Sequence, residues 1–149
     1  MGEAGIGRRH YAFVNNLNQL LAVRLAGRAI VAVRGPIALA DDTEPEPDVA
    51  IIRRRAVPYK EREASAEDAL LLIEVAESSL AYDRSTKLRL YAAAGIPEYW
   101  VVDCVAESVE VHRTLEAGGY RDVSRIAGTG TVAVQAFPDI TLTLAEIFA

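Results

Sequence analysis

Apolar residues at Phe13, Val14, Leu17, Leu20, Leu21 and Leu25 recur at the spacing of one helical face. They predict a helix from His10 to Leu25, stopped at Gly27 and packed on a sheet. Residues 1 to 9 read as a loose end. His10, at the helix start, is most simply a surface or capping residue, with a role at the active site as the lesser reading. Ala29 to Arg34 reads as a strand, Gly35-Pro36 as a turn, and Ile37 to Ala40 as a second extended piece. The acidic loop from Asp41 to Pro47 is held extended by its prolines and leads into a strand, Asp48-Val49-Ala50-Ile51-Ile52. Pro58 interrupts residues 53 to 69, and Ser65 to Leu70 suits a short helical turn.

From Leu70 to Asp103 the pattern is strand, turn, helix, strand. Leu70 to Val75 is a near-continuous apolar run, as expected of a strand covered on both faces. The following helix takes Asp83 as its N-cap, carries Leu88, Tyr91 and Ala92 on one stripe, and ends at Gly95 and Pro97. Tyr99 to Asp103 is the next strand. Beyond it, Ser108 to Arg113, Tyr120 to Ile126 and Thr131 to Gln135 alternate between glycine-containing turns, predicting antiparallel hairpins. Thr143 and Glu146 form a capping box for a short C-terminal helix that includes Ile147 and Phe148. The whole is an α/β chain with hairpins in its last third, and residues 1–149 read as one domain.

Chemistry enters through one misfit in the pattern. Glu74 interrupts the apolar run of its strand, where an ionised carboxylate needs a cation or hydrogen-bond donors, or else stays protonated. Lys87, one turn into the next helix, leans back toward the helix N-terminus, the end that attracts anions. Asp48 stands at the start of a neighbouring strand, where it would otherwise only close a turn. If the two strands pair, Asp48 and Glu74 meet at one sheet edge with the Val75 carbonyl beside them. Such an oxygen set suits Mg²⁺, or Mn²⁺ in its place.

Composition narrows the metal and the surroundings. Cys104 is the single cysteine and the histidines number two, so cysteine or histidine-rich zinc sites are not expected and a hard cation on oxygen ligands is. A lone cysteine also excludes an internal disulfide framework and suits a reducing, cytoplasmic setting. No apolar run reaches membrane-spanning length, and the N-terminus lacks the long apolar stretch of an export signal. A net charge of −5 argues against coating nucleic acid by bulk electrostatics. Arg53-Arg54-Arg55 is the densest basic run and reads most simply as a solvated loop, with Arg84 and Arg89 near the central helix.

Four segments carry a family resemblance: Glu-Pro-Asp-Val-Ala at 46 to 50, Ile-Glu-Val at 73 to 75, Tyr-Asp-Arg-x-x-Lys-Leu-x-Leu-Tyr at 82 to 91, and Ala-Gly-Ile-Pro-Glu-Tyr-Trp-Val-Val-Asp at 94 to 103. Together they resemble the Uma-type restriction endonuclease family of the PD-(D/E)XK nuclease-like superfamily, over the span from His10 to Arg113. The resemblance implies a restriction-endonuclease-like core, a mixed sheet flanked by helices. It also implies an acidic pair at Asp48 and Glu74, a lysine at Lys87 supplied by the helix because position 76 is Ala76, and DNA as substrate. Asp83 and Glu98 are lesser candidates, more simply a cap and a strand-start acid; Tyr91 and Trp100 belong to the core. Family members carry a longer N-terminal part with an acidic segment that this chain does not show: either the true start lies upstream of Met1, or this is a shortened member. That departure sets a second expectation beside the nuclease: a catalytically inactive module of the same fold that binds nucleic acid or a protein, or a homodimer in which a second chain covers exposed sheet. A plain structural role with solvated acids is the third.

Overall fold

The computed structural model describes residues 7–39 and 42–149. Six strands form one sheet in the order β1 (Ile30–Val33), β2 (Val49–Ile52), β3 (Ala69–Ala76), β4 (Glu98–Asp103), β5 (Ser108–Glu116) and β6 (Gly119–Ile126). Every neighbouring pair is antiparallel except β3 and β4, which run parallel. A parallel pair needs a crossover, and the helical segment between β3 and β4 supplies it. That segment runs through α2 (Leu80–Tyr82), a π-helical turn (Asp83–Lys87) and α3 (Leu88–Ala93). Strands β7 (Thr131–Val134) and β8 (Phe137–Thr143) make a separate two-stranded hairpin, followed by α4 (Leu144–Ile147).

Both faces of the six-stranded sheet are covered. On one face, α1 (Arg8–Arg24) sets Phe13, Val14, Leu17 and Leu21 against Ile51, Leu71, Ile73, Trp100 and Val111, and the β7–β8 hairpin and α4 continue the layer. Emptying a site such as Leu21→Ala typically costs about 2–5 kcal/mol. Cys104, just beyond β4, is buried in this layer and held by its N–H donating to the Ala76 carbonyl at 2.9 Å. On the other face, Tyr91 and Ile96 pack with Leu72, Tyr99, Val101 and Tyr120. Trp100 is fully buried, as its place in an apolar strand predicts.

The expected elements recur with four differences. The helix predicted from Asp83 begins three residues earlier, at Leu80. Ile37 to Ala40 forms only an isolated parallel bridge, Ala38 to Ser65, and Ala40 lies outside the described residues. Residues 1–6 and Asp41 lie outside them as well. From the loose end, Arg8 and Arg9 join α1. Strand β8 was not expected because Pro138 and Asp139 interrupt its pattern; a two-stranded ribbon tolerates proline, since each strand has an unpaired side.

Helix ends follow local chemistry. Gly95 takes φ +82° after α3, and Ile96 N–H closes back on the Tyr91 carbonyl at 3.1 Å, the arrangement that ends a helix on glycine. Thr143 and Glu146 exchange the two bonds of the capping box that starts α4. Glu146 also pairs with Arg24 of α1, tying the chain's last helix to its first.

Candidate active site

Register brings the two acids together. Val49 lies opposite Ile73 in the antiparallel β2–β3 pair, so one further step of the same register places Asp48 opposite Glu74. Their residues are 6% and 3% exposed, so neither charge is shielded by bulk water. Asp48 is instead held by protein donors. Its Oδ2 accepts the Val75 N–H at 2.8 Å and faces His10 Nε2 at 3.2 Å, and its Oδ1 accepts Arg34 Nη1 at 3.1 Å.

Glu74 is satisfied from the helix side. Its Oε2 accepts the Tyr91 hydroxyl at 2.6 Å and the Lys87 ammonium at 2.9 Å. Among the described residues, its Oε1 meets only the Asp48 N–H, at 3.4 Å, which is too long to count for much. The wide π-turn is what brings these donors to one side. A helix advances about 100° per residue, so over the eight steps from Asp83 to Tyr91 an uninterrupted α-helix would carry the two about 80° apart. Taking an extra residue into the turn brings Asp83, Lys87 and Tyr91 onto the sheet-facing side, and such π-bulges concentrate at functional sites.

The electrostatics separate the acids. Burial pushes the Glu74 carboxyl up to about 7; the Lys87 ammonium opposes the rise and the Asp48 charge adds to it. Burial acts on Asp48 in the same sense, but the His10 hydrogen bond, the Val75 N–H and the charges of His10 and Arg34 outweigh it and hold Asp48 below the usual carboxylate range. Burial also raises Asp83, against the Ser79 hydroxyl that donates to it at 2.8 Å. Lys87 loses some charge preference by burial but is raised by the Glu74 carboxylate. The two shifts pull apart: the Glu74 carboxylate favours the Lys87 ammonium, whereas burial favours the neutral Glu74 acid until the pH passes about 7.

These groups open onto a cavity of about 400 Å³, lined by His10, Arg34, Asp48, Glu74, Val75, Asp83 and Lys87 and rimmed by Glu46, Glu77 and Tyr82. It lies at the carboxyl end of β3, beside the start of β2 and the beginning of the helical crossover. The described residues contain no group of three or more His, Cys, Asp or Glu arranged to hold a metal ion. Two carboxylates and a backbone carbonyl still fit Mg²⁺, which keeps several waters and needs few protein ligands. The weakly bonded Glu74 Oε1 is an oxygen such an ion could take.

The structure thus gathers Asp48, Glu74, Val75 and Lys87 around one cavity, and it changes the reading of several neighbours. His10 is neither surface nor cap: it is largely buried and faces Asp48. Its signal was its place on the Phe13, Val14 and Leu17 stripe, one turn ahead of the first apolar member. Asp83 is no cap but a buried acid of the cavity wall, and Tyr91 is both core and a donor to Glu74. Arg34 had no motif to mark it. Glu98 lies elsewhere, fully buried and bonded to Trp100 Nε1 at 2.8 Å, Arg113 Nε at 2.7 Å and the Gln135 N–H at 3.0 Å. The Arg53–Arg55 run stays exposed and faces the turn before β3, where Arg55 and Arg62 both pair with buried Asp68.

One solved structure is that of a putative nuclease belonging to DUF820, from Anabaena variabilis. It superposes with a TM-score of 0.73 at 16% identity, over 95% of this chain and 81% of that one, and so shows a shared fold. Curated proteins gave no match. Residues 2–145 match the Uma2 family, described as putative restriction endonuclease, a wider span than the motif segments alone, and the chain therefore belongs to that family.

Proposed function

We propose that this chain is a metal-dependent endonuclease that hydrolyses phosphodiester bonds in DNA. Asp48, Glu74 and the Val75 carbonyl hold a Mg²⁺, or a Mn²⁺ in its place. The observation that carries the reading is the opposition of two buried carboxylates, one at about pKa 7 and one held low, beside a lysine. Family membership supports a nuclease.

Hydrolysis adds a water oxygen to phosphorus, breaks one P–O ester bond and leaves a proton on the departing oxygen. A bound Mg²⁺ supplies a water of lowered pKa and stabilises charge on the phosphoryl oxygens. Lys87, fixed by Glu74, presents its ammonium to the cavity to orient that water or to neutralise the phosphate. Tyr91 fixes Glu74 from the core side, so the acid cannot swing away when its charge changes.

A second reading, a non-catalytic module that binds nucleic acid or a protein, draws on one observation. Both acids already have partners in place, Arg34 and the His10 Nε2 on Asp48 and Lys87 on Glu74. Calorimetry with Mn²⁺ separates the two readings. The nuclease reading expects binding by the parent chain, loss of binding in Glu74→Gln, and a drop of about a hundredfold or more in metal-dependent DNA cleavage for Asp48→Ala. Absence of Mn²⁺ binding in the parent would favour the non-catalytic module.

A further inference from the structure

Arg34 stands out from the other groups at the cavity. It ends β1 with φ +55°, a left-handed backbone that a residue with a Cβ adopts at a cost, although Gly35 is its neighbour. Strain of this kind persists where surrounding structure imposes it, and it clusters at ligand sites. Here the imposing structure is visible. The Arg34 N–H lies 3.1 Å from the Pro47 carbonyl and 3.2 Å from that of Asp48, so its backbone is pinned to the segment that carries the acid.

The side chain has a divided environment. The Arg34 side chain is 47% exposed while that of its partner Asp48 is 8% exposed, so the guanidinium covers the carboxylate from the solvent side of the cavity. Among the described residues it makes one side-chain hydrogen bond, through Nη1, out of five N–H donors. Its remaining donors form a planar fork of the kind that recognises phosphate oxygens in pairs. Besides Lys87 and His10, the cavity carries Asp48, Glu74, Asp83, Glu46 and Glu77, an excess of acids that opposes an incoming phosphate.

We infer that Arg34 is a phosphate-binding residue that rests on Asp48 in the metal-free chain and turns to the DNA backbone once Asp48 is engaged by a divalent cation. This rests on the nuclease reading above. In the metal-free chain the guanidinium competes for the Asp48 oxygen, and in the loaded complex the same cation is released beside the substrate. The pinned backbone keeps it within reach of both positions. Arg34 therefore opposes metal binding and favours DNA binding, a pair of opposite effects that a merely structural arginine would not produce.

The test uses the full chain, its Arg34→Ala variant and its Arg34→Lys variant, in two measurements without turnover. Mn²⁺ affinity is read by calorimetry without DNA. Binding of a short fluorescein-labelled DNA duplex is read by anisotropy across a series of KCl concentrations, with Ca²⁺ present to limit cleavage. Arg34→Ala is expected to bind Mn²⁺ about two- to fivefold more tightly, the scale of losing one half-exposed ion pair. It is expected to bind DNA more weakly, with the slope of log affinity against log salt shallower by about 0.9, the loss of one phosphate contact. Arg34→Lys should recover most of that slope. A parent-like slope in Arg34→Ala, or weaker Mn²⁺ binding in that variant, overturns the role of Arg34 and leaves the nuclease reading standing. Failure of the parent chain itself to bind the duplex at any salt overturns both.

Discussion

At the scale of single residues the decisive group is Glu74, because its charge state governs what the cavity can hold. Its ordinary value is 4.5 and burial lifts it to about 7 in the folded chain. Between those values the folded chain binds more protons than the unfolded one. This group therefore favours folding most at low pH, and that contribution is lost as pH rises through 7 in the absence of metal. A cation needs the carboxylate, so metal binding has the opposite trend. Mn²⁺ affinity is expected to fall by about tenfold per pH unit below 7 and to level off above it. Calorimetry across pH 5.5 to 8.5, roughly the range set by that shift, checks this. In Lys87→Met the opposing ammonium is gone, so the break in the profile should move to higher pH. How the residues could be read in advance follows from the same physics. Glu74 and Lys87 were legible because an acid inside an apolar strand demands a partner, and Asp48 because it begins a strand that could pair with it. His10 was legible only in part, by its place on the α1 stripe, and Arg34 not at all, because a pairing between α1, the end of β1 and the start of β2 exists only once the chain has folded.

Among the elements, the segment from Leu80 to Ala93 carries the most functional information. Its π-turn is the least predictable part, since no composition rule marks where a helix takes in an extra residue. Asp83 is a good capping residue by type, and that preference hid its buried role. Inserting one alanine after Thr86 adds about 100° of rotation between Asp83 and Tyr91, so the two should then no longer share the sheet-facing side. DNA cleavage is expected to fall to the level of Lys87→Met, while the urea midpoint should move less than for Leu71→Ala, a core truncation of about 2–5 kcal/mol. Cleavage assays and urea titrations on the same preparations check both halves. By contrast α1, Gly95 and the Thr143 box were readable from period and capping alone, because their chemistry is local. Strand β8 was missed for the converse reason: its tolerance of Pro138 depends on having an unpaired side.

For the molecule as a whole, the sequence showed that a sheet would be covered on both faces, because β3 and β4 are apolar along nearly their full length. Strand order was less accessible, since alternation reports burial and not which strand lies alongside. The layered arrangement also determines what Cys104 can do. It lies in the layer shared by α1, the sheet and the terminal hairpin, and burial pushes its thiol up to about 12. At neutral pH the folded chain therefore offers a disulfide reagent almost no thiolate, and the sulfur reacts when that layer opens. The only cysteine thus serves as a built-in clock for opening of the molecule. Mn²⁺ held at about a hundred times its dissociation constant should slow thiol labelling by about a hundredfold, by mass action on the closed state. Glu74→Gln should label at one rate with or without the ion, so a side chain that takes no part in the chemistry would time the occupancy of the cavity from within the layer beneath α1.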